Sequence, residues 1–137
     1  MSDLSRRLLI IDDDAPVRQS IAAYLHDSNY HVLEAANGAE GLALVQQECP
    51  DLVITDLRMP GIDGLQVLQQ LHEHSPDLPV IVISGAGVIG DVVSALRLGA
   101  RDYLIKPILD MEVLVHSVAK ALENRDLLME NQRYREK

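Results

Sequence analysis

Five short runs of mostly branched apolar residues, Leu8 to Ile11, His31 to Glu34, Leu52 to Thr55, Val80 to Ile83 and Tyr103 to Ile105, recur about every twenty to thirty residues. Runs this short, bounded by polar residues and turn formers, read as strands. The stretches between them, Val17 to His26, Ala39 to Glu48, Leu65 to His74 and Gly90 to Leu98, carry apolar residues at helical spacing. Asn37-Gly38 precedes the second of these helices, Cys49-Pro50-Asp51 follows it, and Ser75-Pro76 closes the third. Regular alternation of strand and helix demands right-handed crossovers, hence a parallel sheet covered on both faces. The pattern therefore predicts an α/β fold: a flavodoxin-like (βα)5 doubly wound parallel sheet of strand order 2-1-3-4-5, with functional loops gathered at the strands' C-terminal ends.

A chain of 137 residues with 47% hydrophobic content can bury one core and little more. Phe and Trp are absent, so that core is expected to be aliphatic, as buried parallel strands prefer. The formal net charge of -9 argues against direct binding of nucleic acid or an anionic membrane surface by this segment. The lone Cys49 excludes an internal disulfide, suits a reducing compartment and is expected to be a buried structural thiol. Residues Met1 to Arg7 lead into only four apolar residues, too few for a signal peptide, and no run reaches membrane-spanning length. The expected location is cytoplasmic.

After Pro107 the pattern changes, and Asp110 to Arg135 reads as one long, charged helix. Leu114, Ala121 and Leu128 repeat at seven, as do Val115, Leu122 and Met129, with Arg125 interrupting the stripe. A dimer-forming or linker helix and a simple last helix with a frayed end both fit this spacing. The division expected is a domain over 1–123 and a helical extension or linker over 124–137, which either leads to an output domain or ends a stand-alone domain that binds a partner.

Asp12, Asp13 and Asp14 follow the first strand and Asp56 ends the third, and in a 2-1-3-4-5 sheet these strands are neighbours at the topological switch point. Asp14, before Ala15-Pro16, is explained as a helix cap. Asp12, Asp13 and Asp56 are not, because converging carboxylates raise each other's proton affinity unless a cation compensates. Hard carboxylate oxygens select Mg²⁺ or Mn²⁺. Ser84 ends the fourth strand and Lys106 the fifth, and together they add a hydroxyl donor and a mobile positive charge of the kind that stabilises a phosphoryl group in transfer.

Ile11-Asp12-Asp13-Asp14, Asp51 to Gly64 (with Asp56 and the Met59-Pro60-Gly61 turn), Val82-Ile83-Ser84-Gly85 and Gly99 to Pro107 resemble, in order and spacing, the motifs of response-regulator receiver domains of the CheY-like superfamily. The resemblance covers about residues 7 to 123, and its force lies in the combination of motifs. It implies a phosphorylation-activated switch of two-component signalling in which Asp56 is the phosphoacceptor, taking a phosphoryl group from a histidine kinase or phosphotransfer protein. By the same match, Asp13, Asp56 and the Arg58 backbone carbonyl ligate Mg²⁺ directly, Asp12 acts through metal-bound water, and Lys106 grips a phosphoryl oxygen. Ser84 moves towards the phosphate and Tyr103 turns inward behind it, altering the surface that controls an output domain or effector. The resemblance further implies a cis Lys106-Pro107 bond and no catalysis beyond the protein's own phosphorylation and dephosphorylation, while the seven-residue spacing of the last helix leaves room for a phosphorylation-linked homodimer. Ile108, where Phe often follows Lys-Pro, and the long cationic Arg58 depart from the common pattern, and Arg58 and Ala86 stand where they would gate water attack.

Two enzyme classes compete. A metal-dependent aspartyl-phosphate phosphatase shares the chemistry, but it needs a second acid or base and usually a cap, and no insertion is long enough to form one. Gly85-Ala-Gly87-Val-Ile-Gly90 spells a dinucleotide-binding loop, yet it follows the fourth strand and no acidic residue ends the next one. His72 and His74 lie two apart on a helix, and His26, His31 and His116 have no ligand spacing, so the first pair is expected at the surface and His116 as a partly buried filler.

Overall fold

The computed structural model describes residues 6–85, 89–106 and 108–136. Five strands alternate with five helices: β1 Arg7–Ile11, α1 Ala15–Asp27, β2 His31–Ala35, α2 Gly38–Glu48, β3 Leu52–Asp56, α3 Gly64–His74, β4 Val80–Ser84, α4 Ile89–Arg97, β5 Asp102–Ile105 and α5 Met111–Glu136. The strands form one sheet in the order β2-β1-β3-β4-β5, and every pairing is parallel. This is the flavodoxin-like doubly wound architecture that the alternation predicts. The Lys106-Pro107 bond, residues 86–88 of the Gly85 to Gly90 segment (Ala86 among them) and the first five residues lie outside the described residues.

Alternation along the buried strands divides the core in two. Leu8, Ile10, Leu52, Ile54, Ile81 and Ile83 pack beneath α1 and α5 with Ile21, Leu25, Leu114 and Val118. Leu9, Ile11, Val53, Val80 and Val82 pack on the opposite face with Val67, Leu68, Leu71 and Ala95 of α3 and α4. β3 and β4 are buried along their whole length, whereas β2 and β5, at the edges, are only partly covered. The central strands therefore present a rigid base, and the groups at their C-terminal ends inherit that rigidity.

Helix starts follow from local chemistry. The Asp14 carboxylate caps α1 by accepting from Val17 N, with Pro16 in the first turn. Asn37 caps α2, and Asp63 with Gln66 forms a reciprocal capping box on α3.

Two expectations need correction. Cys49 is exposed rather than buried: it is the C-cap of α2 in the left-handed conformation (φ 50°), past the last residue facing the sheet. His116 is exposed rather than partly buried, because it lies on the outward face of α5. The seven-residue spacing of α5 is, through Leu122, intramolecular packing, since Leu114, Ala121 and Leu122 are buried and Val115 packs against that same core. Only beyond Arg125 does the stripe emerge, at the exposed Leu128 and Met129.

Candidate functional site

Sheet register brings the site together before any side chain is considered. Ile11 pairs with Thr55, so Asp12 and Asp56 are the next positions on adjoining strands. Asp56 itself pairs with Ile83, and Ser84 with Ile105, while Lys106 N donates to Ser84 O at 2.7 Å. Four strand ends thus deliver Asp12, Asp56, Ser84 and Lys106 to one edge. Asp12, Asp56 and Ser84 are buried, and Asp13 is exposed beside them.

The carboxylates of Asp12, Asp13 and Asp56 converge, with one oxygen of each within 4.8 Å of the others. Lys106 Nζ lies between two of them, 2.8 Å from Asp12 Oδ2 and 3.2 Å from Asp56 Oδ2. Asp14 N donates to Asp12 Oδ1 at 2.9 Å and Arg58 N to Asp56 Oδ1 at 3.4 Å. One ammonium against three carboxylates leaves the cluster with excess negative charge. Burial is the largest influence on Asp56 and pushes its carboxyl above the ordinary carboxylate value; the charge of Asp12 adds to the rise, and Lys106 and the Arg58 amide oppose it. Burial works against the Lys106 ammonium, but the hydrogen bond to Asp12 and the charges of Asp56 and Asp12 outweigh it, so its pKa lies above the usual lysine value. An unbalanced set of hard oxygen donors fits a small divalent cation, and Mg²⁺ is typically held by one or two carboxylates while keeping waters.

The loop carrying Asp56 into α3 is pinned at Gly64, whose amide donates to Leu57 O at 2.8 Å. A side chain there would meet Asp56 O at 2.1 Å and Leu57 Cα at 2.6 Å, so only glycine permits this approach. Tyr103 is half-buried among the α3 and α4 side chains, its hydroxyl enclosed and without a hydrogen-bond partner among the described residues. Beside Lys106 opens an apolar groove of about 490 Å³ lined by Pro16, Val17, Ile21, Ile108 and Met111.

The response regulator receiver domain family matches residues 8–119 of this sequence. The chain belongs to that family. Among curated relatives of this receiver, the C4-dicarboxylate transport transcriptional regulatory protein DctD of Pseudomonas aeruginosa is 40% identical over 133 residues, covering 97% of this chain but 29% of DctD. The transcriptional regulatory protein GlrR of Escherichia coli is 37% identical over 123 residues, covering 90% of this chain and 28% of GlrR. Among solved structures, NtrX from Brucella abortus superposes with a TM-score of 0.89 at 33% identity, over 96% of this chain and 30% of NtrX. A receiver domain protein from Clostridium thermocellum superposes with a TM-score of 0.85 at 31% identity, over 90% of this chain and 98% of that one. The receiver thus spans less than a third of DctD and GlrR. No helix among its described residues is long and apolar enough to cross a membrane.

Two arginines also stand at this edge, and of these sequence reasoning singles out Arg58 but not Arg18. Arg58 pairs with Asp91 in the first turn of α4, tying the loop after Asp56 to the neighbouring helix. Arg18, one turn into α1, reaches back to the acidic turn after β1. An arginine four residues after an N-cap aspartate is a visible signal, but it is equally the signal of an ordinary solvated helix face.

Proposed function

We propose that this receiver is a phosphorylation-operated switch in which Asp56 accepts a phosphoryl group from a phosphohistidine of a kinase or phosphotransfer protein. The observation that carries this reading is the convergence of Asp12, Asp13 and Asp56 with Lys106 bridging two of them. A carboxylate oxygen of Asp56 forms the bond to phosphorus as the bond from phosphorus to the donor nitrogen breaks, and that nitrogen keeps the electron pair. Asp13, Asp56 and the Arg58 carbonyl would hold Mg²⁺ or Mn²⁺ directly, with Asp12 acting through water. The bound cation supplies charge neutralisation for the phosphoryl oxygens.

The Lys106 side chain is already mostly shielded from solvent and needs only to turn from the carboxylates to a phosphoryl oxygen. Ser84, at the neighbouring strand end, offers a hydroxyl donor. Its movement, followed by that of Tyr103, is the step that changes the α4 and β5 surface. The Tyr103 hydroxyl, enclosed and without a hydrogen-bond partner among the described residues, supports this assignment, because an unsatisfied buried donor costs about 1–3 kcal/mol and makes that ring position conditional on its surroundings. Residues 1–123 act as the receiver. The extension over 124–137 passes the signal to an output domain or effector in the cytoplasm, and a homodimer through the exposed Leu128 and Met129 belongs to the same reading.

Incubation with acetyl phosphate and MgCl₂ should add one phosphoryl group to the intact mass, labile to hydroxylamine and absent in Asp56→Asn. Uptake that persists in Asp56→Asn would sink the assignment, and repeated turnover of p-nitrophenyl phosphate would point to a phosphatase instead.

A further inference from the structure

We propose that Arg18 is a positioning residue for the cation site, acting by locking the peptide that joins Asp12 to Asp13. This rests on the reading of the acidic cluster as a divalent-cation site. Arg18 Nη1 donates to the Asp12 backbone carbonyl at 2.9 Å and Nε to Glu34 Oε1 at 2.9 Å, and the side chain is only 14% exposed. The Asp12 amide is held from the other side, donating to Ala35 O at 3.1 Å. Lys106 and the Asp14 amide fix the Asp12 carboxylate.

Asp13 has no such anchorage among the described residues and is exposed at the turn. Its side chain leaves the backbone directly after the peptide plane whose carbonyl Arg18 grips. A change in Asp12 ψ that Asp13 φ does not compensate redirects the Asp13 Cα–Cβ bond and swings its carboxylate out of the cluster. Glu34, at the end of β2, holds the guanidinium in the orientation that reaches the carbonyl, so the sheet itself sets the register of the acidic turn. A planar fork with fixed donor directions suits this double contact, and a lysine ammonium does not reproduce it.

The charge and the geometry of Arg18 make opposite demands. Removing a cation near a metal site should tighten Mg²⁺ binding on electrostatic grounds alone, whereas releasing the Asp13 turn should weaken it. Second-sphere contacts of this type change metal affinity by about 10-fold or more.

The test is calorimetric titration of the full chain with MgCl₂, alongside far-UV circular dichroism and the metal-free melting temperature. Arg18→Ala and Arg18→Lys are both expected to weaken Mg²⁺ binding by about 10-fold with the fold retained, and Glu34→Gln to weaken it less. A merely structural role would lower the metal-free melting temperature and leave the affinity of the folded protein unchanged. Unchanged or tighter binding in folded Arg18→Lys overturns the proposal. If Arg18→Ala does not fold, Arg18→Lys and Glu34→Gln decide it on the same criterion. Asp13→Asn is the control: if it binds Mg²⁺ as the parent does, the cation-site reading itself fails, whereas loss in Asp13→Asn with no change at Arg18 removes the role of Arg18 alone.

Discussion

Aspartates at the two ends of β3 are in opposite electrostatic situations. Asp51, just before the strand, accepts from the Arg7 amide at 2.8 Å and pairs with Arg125 at 3.3 Å. Its surroundings are balanced: Arg7 pairs with Glu48, Arg6 with Asp126 and Arg125 with Asp51. Asp56, at the other end, shares one lysine with Asp12 while Asp13 stands nearby. The same side chain is therefore a strut before one end of β3 and an under-compensated group at the other. Neutralised charge is spent on joining α5 to the sheet. Charge left in excess is available to a cation.

The contrast is broken most severely through its two cationic residues. Lys106→Ala is expected to slow acetyl phosphate uptake by about 100-fold, the usual loss for one transition-state charge donor, with Arg125→Ala leaving the rate near that of the parent; equal losses in a quench-flow or gel assay would erase the distinction. In urea unfolding the roles should reverse. Arg125→Ala leaves the part-buried Asp51 carboxylate without its guanidinium and should cost about 1–3 kcal/mol.

A smaller effect separates the two aspartates themselves. Burial above all holds the Asp56 carboxyl above its ordinary value of 3.8, so the folded chain binds that proton more tightly than the unfolded one. Stability supplied by the protonated group is lost as pH rises from about that ordinary value through the raised one, and at neutral pH the ionised carboxylate opposes folding. Asp56→Asn should accordingly melt a few degrees higher than the parent at neutral pH without metal, and MgCl₂ should raise the parent's melting temperature more than the variant's. Asp51→Asn should instead lower it. The smallest change is expected for Arg58→Ala: its partner contact with Asp91 involves a side chain 69% exposed, so the stability loss should stay below about 1 kcal/mol in the same unfolding assay.

Much of this was legible in the chain because strands and acidic turns are local features. The runs ending at Ile11, Thr55 and Ile83 mark the buried strands closely, and Asp12, Asp56, Ser84 and Lys106 are brought to one edge by the sheet order alone. What was not legible depended on long-range partners. Arg125 looks like a flaw in a heptad stripe until Asp51, far away in sequence, explains it. Leu114 and Ala121 repeat as a coiled-coil seam would, yet they are absorbed by the helix's own sheet, because a spacing of seven does not say which surface a helix covers. Cys49 was expected inside by its residue type, and the left-handed turn ending α2 sets it outside.

The central claim, that the uncompensated end of β3 is where the phosphoryl group resides, can be tested without any variant. Borohydride reduction of the acetyl phosphate-treated receiver converts an acyl phosphate to homoserine, and peptide mass spectrometry then locates it. The account predicts homoserine at position 56 alone, dependent on MgCl₂. Homoserine at Asp51, Asp12 or Asp13 in place of Asp56, or none at any aspartate, would contradict it.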